Sequence, residues 1–156
     1  MWLVDTFDDL AQYLPMFEDA EIIGSFEELT FKKKTETLSI YYGLFDEGQL
    51  IAYYWIVKFP SQHNMWLGFE LRVDLAYQRR GIAMFFYEQI VLVDEKTLVS
   101  DFSHNKLSSS IWDKLSKIQG MKVGSYNRIT DKIEWGSLNK EKVYGNGHMH
   151  FVVTTK

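Results

Sequence analysis

No cysteine occurs in the 156 residues. Disulfides, thiolate metal sites and cysteine nucleophiles are thereby excluded, and the chain suits a reducing compartment. No stretch approaches the roughly 18 apolar residues of a membrane-spanning helix. The opening segment, MWLVDTFDDLAQYL, is acidic and lacks the basic flank and long apolar run of a secretion signal. Positive charge is also in short supply. Lysine and arginine number 17 against 21 aspartates and glutamates, a net charge of −4, which argues against a broad nucleic-acid-binding face. Repeats, low-complexity tracts and linkers are missing. These absences lead to the expectation of a soluble, cytoplasmic protein with no membrane or nucleic-acid partner.

What is present suits a packed core. Hydrophobic residues make up 46% and aromatics 16% of the chain, well away from the composition of disordered segments. The length suits one domain spanning 1–156, large enough to bury roughly 68–70% of its unfolded surface.

Trp2–Val4 is a short apolar run, and Thr6 is placed to cap a helix through about Phe17. The SFEE pattern at Ser25–Glu28 matches a capping box and predicts a second short helix. FKKK at Phe31–Lys34 reads as a charged, solvated corner. LSIYYGLFDEGQLIAYYWIVKF reads as a hairpin around DEGQ, closed by Pro60. In MWLGFELRVD, strict alternation puts Leu67, Phe69, Leu71 and Val73 on one face and Gly68, Glu70 and Arg72 on the other. Gly81 to about Leu92 is a buried helix, and Thr97–Phe102 a strand. The next helix is capped at Ser103 or Asn105 and stopped near Gly120. Two final strands, MKVGSYNRI and HMHFVVTT, flank a turn-rich stretch. The order predicts one mixed α/β (α+β) fold, with helices on the faces of a sheet.

The segment with most chemical content is QRRGIA, Gln78–Ala83, at a strand-to-helix turn. The first N–H groups of a helix lack internal partners, and the helix dipole is positive there. Phosphate is a natural ligand for that geometry. Gly81 allows close approach to the backbone, Ala83 is small, and Gln78, Arg79 and Arg80 can add donors. Many such corners also bind nothing.

This segment resembles the acyl-CoA signature of the GNAT superfamily of N-acyltransferases, Gln/Arg-x-x-Gly-x-Gly/Ala. Here it reads Gln78-Arg79-Arg80-Gly81-Ile82-Ala83, with Val73 upstream where the family tends to place a valine. Leu75 stands where the family commonly has proline. The upstream hairpin, the strand TLVSDF, Asn105, the helix residues SSSIWDKL and Gly120-Met121 continue the resemblance. It implies a mixed, mostly antiparallel central sheet of about six to seven strands flanked by about four helices. It also implies acetyl-CoA as co-substrate, an amine acceptor and direct acyl transfer without metal, and it is compatible with a homodimer. The implied cofactor-binding residues are Leu71, Arg72 and Val73 with an oxyanion-binding backbone N–H, Gln78, Arg79, Arg80, Gly81, Ile82 and Ala83, Asn105, and Trp112.

Transfer to an amine needs loss of an ammonium proton, since a lysine-type amine has a pKa of about 10.4. Glu70, on the strand leading into the turn, is the first candidate base. Its alternative role is a pair with Arg72 or a neighbouring strand. Asp101, a carboxylate amid apolar strand residues, is the second; it could instead bond to backbone ahead of the following helix. The family commonly supplies an acid as Tyr in Leu-Tyr-x-x-Leu-Gly-Phe. The matching stretch here is Ile111-Trp112-Asp113-Lys114-Leu115, so Trp112 fills that slot, and an indole N–H is not a proton acid. Ser109, Ser110 or Tyr126 are substitutes. His148 and His150 share a strand face but lack a third ligand of suitable spacing, so no metal is expected. The alternative to an N-acetyltransferase is a non-catalytic module of the same fold that binds CoA or a protein.

Overall fold

The computed structural model describes residues 10–101, 106–145 and 147–156. The expected strand at Trp2–Val4, the Thr6 cap, and Ser103 and Asn105 lie outside the described residues. Among those described are nine strands: β1 Glu21–Phe26, β2 Leu29–Thr35, β3 Ser39–Asp46, β4 Gln49–Phe59, β5 Met65–Val73, β6 Thr97–Val99, β7 Met121–Asn127, β8 Lys132–Trp135 and β9 Met149–Thr155. The α-helices are α1 Ile82–Glu88, α2 Lys106–Leu115 and α3 Lys140–Gly145, with a 3-10 helix over Ala11–Phe17. The fold is α+β and mostly antiparallel, with β5–β6 a parallel pair.

The chain divides into two compact units. One comprises the described residues of Trp2–Val57 and Phe69–Phe86, the other Lys58–Gly68 and Tyr87–Lys156. Strands β4 and β5 and helix α1 contribute residues to both.

In the first unit the strand order is β1-β2-β3-β4-β5. The DEGQ hairpin forms as expected, with Glu47 and Gly48 both at positive φ in its turn. One sheet face is covered by the 3-10 helix. Leu10 and Phe17 pack there with Phe45, Leu50 and Tyr53. Gly43 lies across from Tyr53, and a Cβ on it would meet the Phe17 ring at 2.7 Å; the glycine makes room for that ring. On the other face Phe31 and Tyr54 receive Phe85 and Phe86 of α1.

The SFEE helix is a correction. Glu27 and Glu28 instead make a tight turn joining β1 to β2, with Glu27 at φ 52°. A capping box is a local signal. It loses here to the ladder that Thr30–Thr35 makes with Ile40–Phe45. FKKK is likewise part of β2. Phe31 is buried, while Lys32 lies over the Phe45 ring at 4.5 Å and Lys33 over Tyr42 at 5.6 Å. These two strands, with β8, raise the strand count above six to seven.

In the second unit the order is β5-β6-β9-β7-β8. The turn-rich stretch holds β8 and α3, which local composition did not predict. The helix expected over Gly81–Leu92 is α1 followed by a π-helical turn at Gln89–Val93. Among the described residues, no helix is long and apolar enough to cross a membrane.

Candidate functional site

Strand β5 carries four of the expected residues, Glu70, Leu71, Arg72 and Val73, and its side chains depart from strict alternation. Leu71 and Val73 are buried as predicted. Phe69, expected beside them, is 46% exposed and packs tilted against Trp55 with ring centroids 4.5 Å apart. Glu70 accepts a hydrogen bond from the Tyr53 hydroxyl. Tyr53 and Trp55 are two apart on β4 and share a face, so neighbours Phe69 and Glu70 both reach that face. The alternation slips by one residue, the behaviour of an irregular strand that re-aims a side chain. This slip brings a carboxylate and an exposed ring together.

Glu70 is held from two directions. Tyr53 donates to Oε1, and Arg72 donates to Oε2 at 3.2 Å. The Arg72 guanidinium lies over the Tyr13 ring at 5.2 Å, and Tyr13 packs on Tyr53 at 4.8 Å. Burial, then the hydrogen bond to Glu70, pushes the Tyr53 phenol far above its ordinary pKa. It therefore stays protonated and acts as a donor. The pairing of Glu70 with Arg72 was foreseen; Tyr53 and Tyr13 were not. The Tyr53 partnership depends on strand register, which local sequence does not specify. Arg72 Nε and Trp55 Nε1 are buried and find no acceptor among the described residues.

After Val73 the chain makes a built turn. Asp74, 4% exposed, accepts from the Ala76 N–H at 2.9 Å, and its own N–H donates to the Ile51 carbonyl at 2.8 Å. Gln78 Nε2 donates to the Val73 carbonyl at 3.1 Å. The Tyr77 hydroxyl donates to Asp46, and that bond, with burial second, pushes its pKa up to about 12. Arg79 and Gly81 then take left-handed φ values of 65° and 83°. Turns of this kind point successive N–H groups into a concavity that suits an anion. Helix α1 begins at Ile82, and the Phe85 N–H to Gly81 carbonyl bond of 3.0 Å closes its first turn. The N–H groups before Phe85 therefore lack helical partners. A Cβ on Gly81 would meet nothing within 4 Å, so the space over the turn is open.

The arginines differ. Arg79 is exposed. Arg80 pairs with Glu28 at 2.8 Å and Glu27 at 3.5 Å and lies over the Tyr77 ring. Its charge is answered within the chain, which the sequence did not indicate. Ile82 is buried and anchors the helix start; Ala83 is half-buried.

The remaining expected residues belong to the second unit. Asp101, 9% exposed, follows β6. Trp112 is 1% exposed and packs on Tyr87 and Phe151, with its indole N–H buried and without an acceptor among the described residues. Asn105 lies outside the described residues. His150 is buried on the Ser100 carbonyl at 2.7 Å, and burial pushes its pKa down. Tyr126 is tied to Asp131 at 2.7 Å, and burial first, then that bond, pushes its pKa up to about 12. Asp131 also accepts from Ser61 Oγ at 2.7 Å and the Gln62 N–H at 3.1 Å, fastening the β4–β5 loop to the β7–β8 turn.

No family model and no curated protein sequence matches the chain. Its structure is similar to those of GNAT-family acetyltransferases. A protein assigned to that family from Bacteroides thetaiotaomicron superposes with a TM-score of 0.47 at 10% identity, over 98% of this chain and 86% of the other. An N-acetyltransferase from Staphylococcus aureus Mu50 gives 0.44 at 12% identity, over 97% and 94%. A protein assigned as a streptothricin acetyltransferase from Bacillus anthracis, in complex with acetyl coenzyme A, gives 0.42 at 12% identity, over 78% and 65%. Overlap of this extent transfers neither residue roles nor activity to this chain.

Proposed function

We propose that the protein is an N-acetyltransferase that moves an acetyl group from acetyl-CoA directly to a primary amine. The observation that carries this is the open, left-handed turn at Arg79 and Gly81 feeding helix α1, in the QRRGIA segment. The amides ahead of Phe85 would hold the pyrophosphate, with Arg79 as the exposed side-chain donor. Glu70 would accept the ammonium proton. The amine nitrogen then forms its bond to the thioester carbon, the carbon–sulfur bond breaks, the thiolate leaves, and the nitrogen's second proton passes to the thiolate or to solvent. A thiol resembling cysteine has a pKa of about 8.5, so the thiolate can depart without a dedicated acid. Backbone N–H groups of Leu71–Val73 are the candidates to receive the carbonyl oxygen.

The test is calorimetric titration with acetyl-CoA, with CoA and ATP as controls. Acetyl-CoA and CoA should bind alike and ATP should not. Gly81→Trp, with the fold checked by circular dichroism, should abolish binding; micromolar affinity retained in that variant would overturn the assignment of the turn. A second reading is a CoA-binding module without turnover. The buried indole of Trp112, in the slot where the resemblance places a tyrosine acid, favours it. Binding without acetyl transfer to any amine would select it.

A further inference from the structure

The ring of Phe69 is 46% exposed although it packs on Trp55. Among the described residues it ends a continuous strip. Phe17 meets Tyr41 at 6.3 Å, Tyr41 meets Trp55 at 5.5 Å, and Trp55 meets Phe69 at 4.5 Å. The buried end of the strip is core; the Phe69 end is open. The slip in β5 puts this open end beside Glu70. An apolar ring turned outward next to a carboxylate is the composition of a site for an amphipathic amine, with its body on the ring and its nitrogen at the carboxylate.

Charge narrows the class further. Glu70 is 19% and Arg72 20% exposed, and they form a pair with no net charge. Tyr53, its phenol held protonated by burial and by Glu70, adds none. A carboxylate has about four lone-pair sites, so Glu70 can still accept from one amine after Tyr53 and Arg72 have bonded. It cannot offer the surplus negative field that a polycation requires. A second or third ammonium would be pressed against Phe69 and Trp55, losing water with no partner. A ring or flat apolar body loses nothing there and covers Phe69.

We infer that the acceptor is a primary amine carried on a flat apolar body, seated on Phe69 and the Trp55 edge with its nitrogen at Glu70. This rests on the acyl-transfer reading for the chemistry, but the seat itself can be tested without it. Phenethylamine is the probe, with spermidine and ethanolamine as comparisons. Ligand-observed NMR without acetyl-CoA should show phenethylamine binding, weakened at least fivefold in Phe69→Ala and less in Phe69→Leu, which keeps bulk. With acetyl-CoA present, release of CoA thiol should give kcat/KM at least tenfold higher for phenethylamine than for the other two. Phe69→Ala should bring those ratios near one.

Phenethylamine binding through Phe69 in a protein that ignores acetyl-CoA would keep the seat and remove the transferase. Acetyl-CoA turnover with equal use of spermidine or ethanolamine would overturn the seat and keep the transferase. So would ratios that Phe69→Ala leaves unchanged. Failure of both acetyl-CoA and phenethylamine to bind would overturn both.

Discussion

Of the tyrosine–carboxylate pairs, one from each unit shows the same bond used for different ends. Tyr126 donates to Asp131, and Tyr53 donates to Glu70. Around Asp131 every further donor is a loop hydroxyl or a backbone N–H, from Ser61 and Gln62. The carboxylate is spent on fastening. Around Glu70 the second donor is a charged Arg72, and the neighbour on the chain is an uncovered Phe69. The hydrogen-bond count alone would not tell them apart. What does is the company each carboxylate keeps: loop groups around Asp131, and a charged arginine and the 46% exposed Phe69 beside Glu70.

The comparison can be broken first at Glu70. Glu70→Gln keeps the acceptor for Tyr53 but removes the proposed base, and should lower turnover by at least about 100-fold with the melting temperature little changed. Steady-state rates with phenethylamine, across pH, check it. Full turnover at all pH values would leave Glu70 a structural partner like Asp131. The next effect is on stability, in the second unit. A Cβ on Gly124 would fall 2.4 Å from the Glu134 backbone carbonyl across β7–β8. Gly124→Ala must push two strands apart and should cost about 1–3 kcal/mol, measured by urea unfolding.

Tyr53→Phe should be smaller, about 1 kcal/mol for the lost hydrogen bond. It should also alter the pH dependence of turnover, which Tyr126→Phe should not. Asp131→Asn should be the mildest, lowering Tm only slightly at pH 7 with turnover kept. The sign in pH follows from the Tyr126 hydrogen bond, which, with Ser61 second, holds the Asp131 carboxyl below its ordinary value of 3.8. Its stabilisation is complete above that value and is lost as the pH falls through the lower folded one. The gap between wild type and Asp131→Asn should therefore close in acid, as calorimetric scans from pH 7 to pH 2.5 would record.

The legible parts of this molecule are those specified by neighbours in sequence. The DEGQ hairpin, β5 and the glycine turn before α1 all rest on alternation, turn residues and one short motif. The SFEE segment misled because its capping pattern is also local, while the ladder that overrules it comes from residues ten to twenty positions away. The same holds at the site. Glu70 stood out as a carboxylate on the right strand, and its bond to Arg72 follows from their spacing. Its bond to Tyr53 needs the register of two strands, and the exposure of Phe69 needs a slip in alternation that no composition rule announces. Arg79 and Arg80 look alike in sequence, and only the β1–β2 turn, with its two glutamates, separates them.

Strand β1 has a consequence for handling the protein. Among the described residues it ends the strand order, and Glu21–Ser25 are all exposed, including Ile22 at 66% and Ile23 at 38%. Its pairing to β2 breaks register between Ile22 and Gly24. An apolar strand of this kind, if regular, would template further strands from other copies of the chain. The break interrupts that template. Deleting Ile23 would restore a continuous ladder, and the resulting protein should precipitate or grow fibrils at concentrations where the parent stays clear.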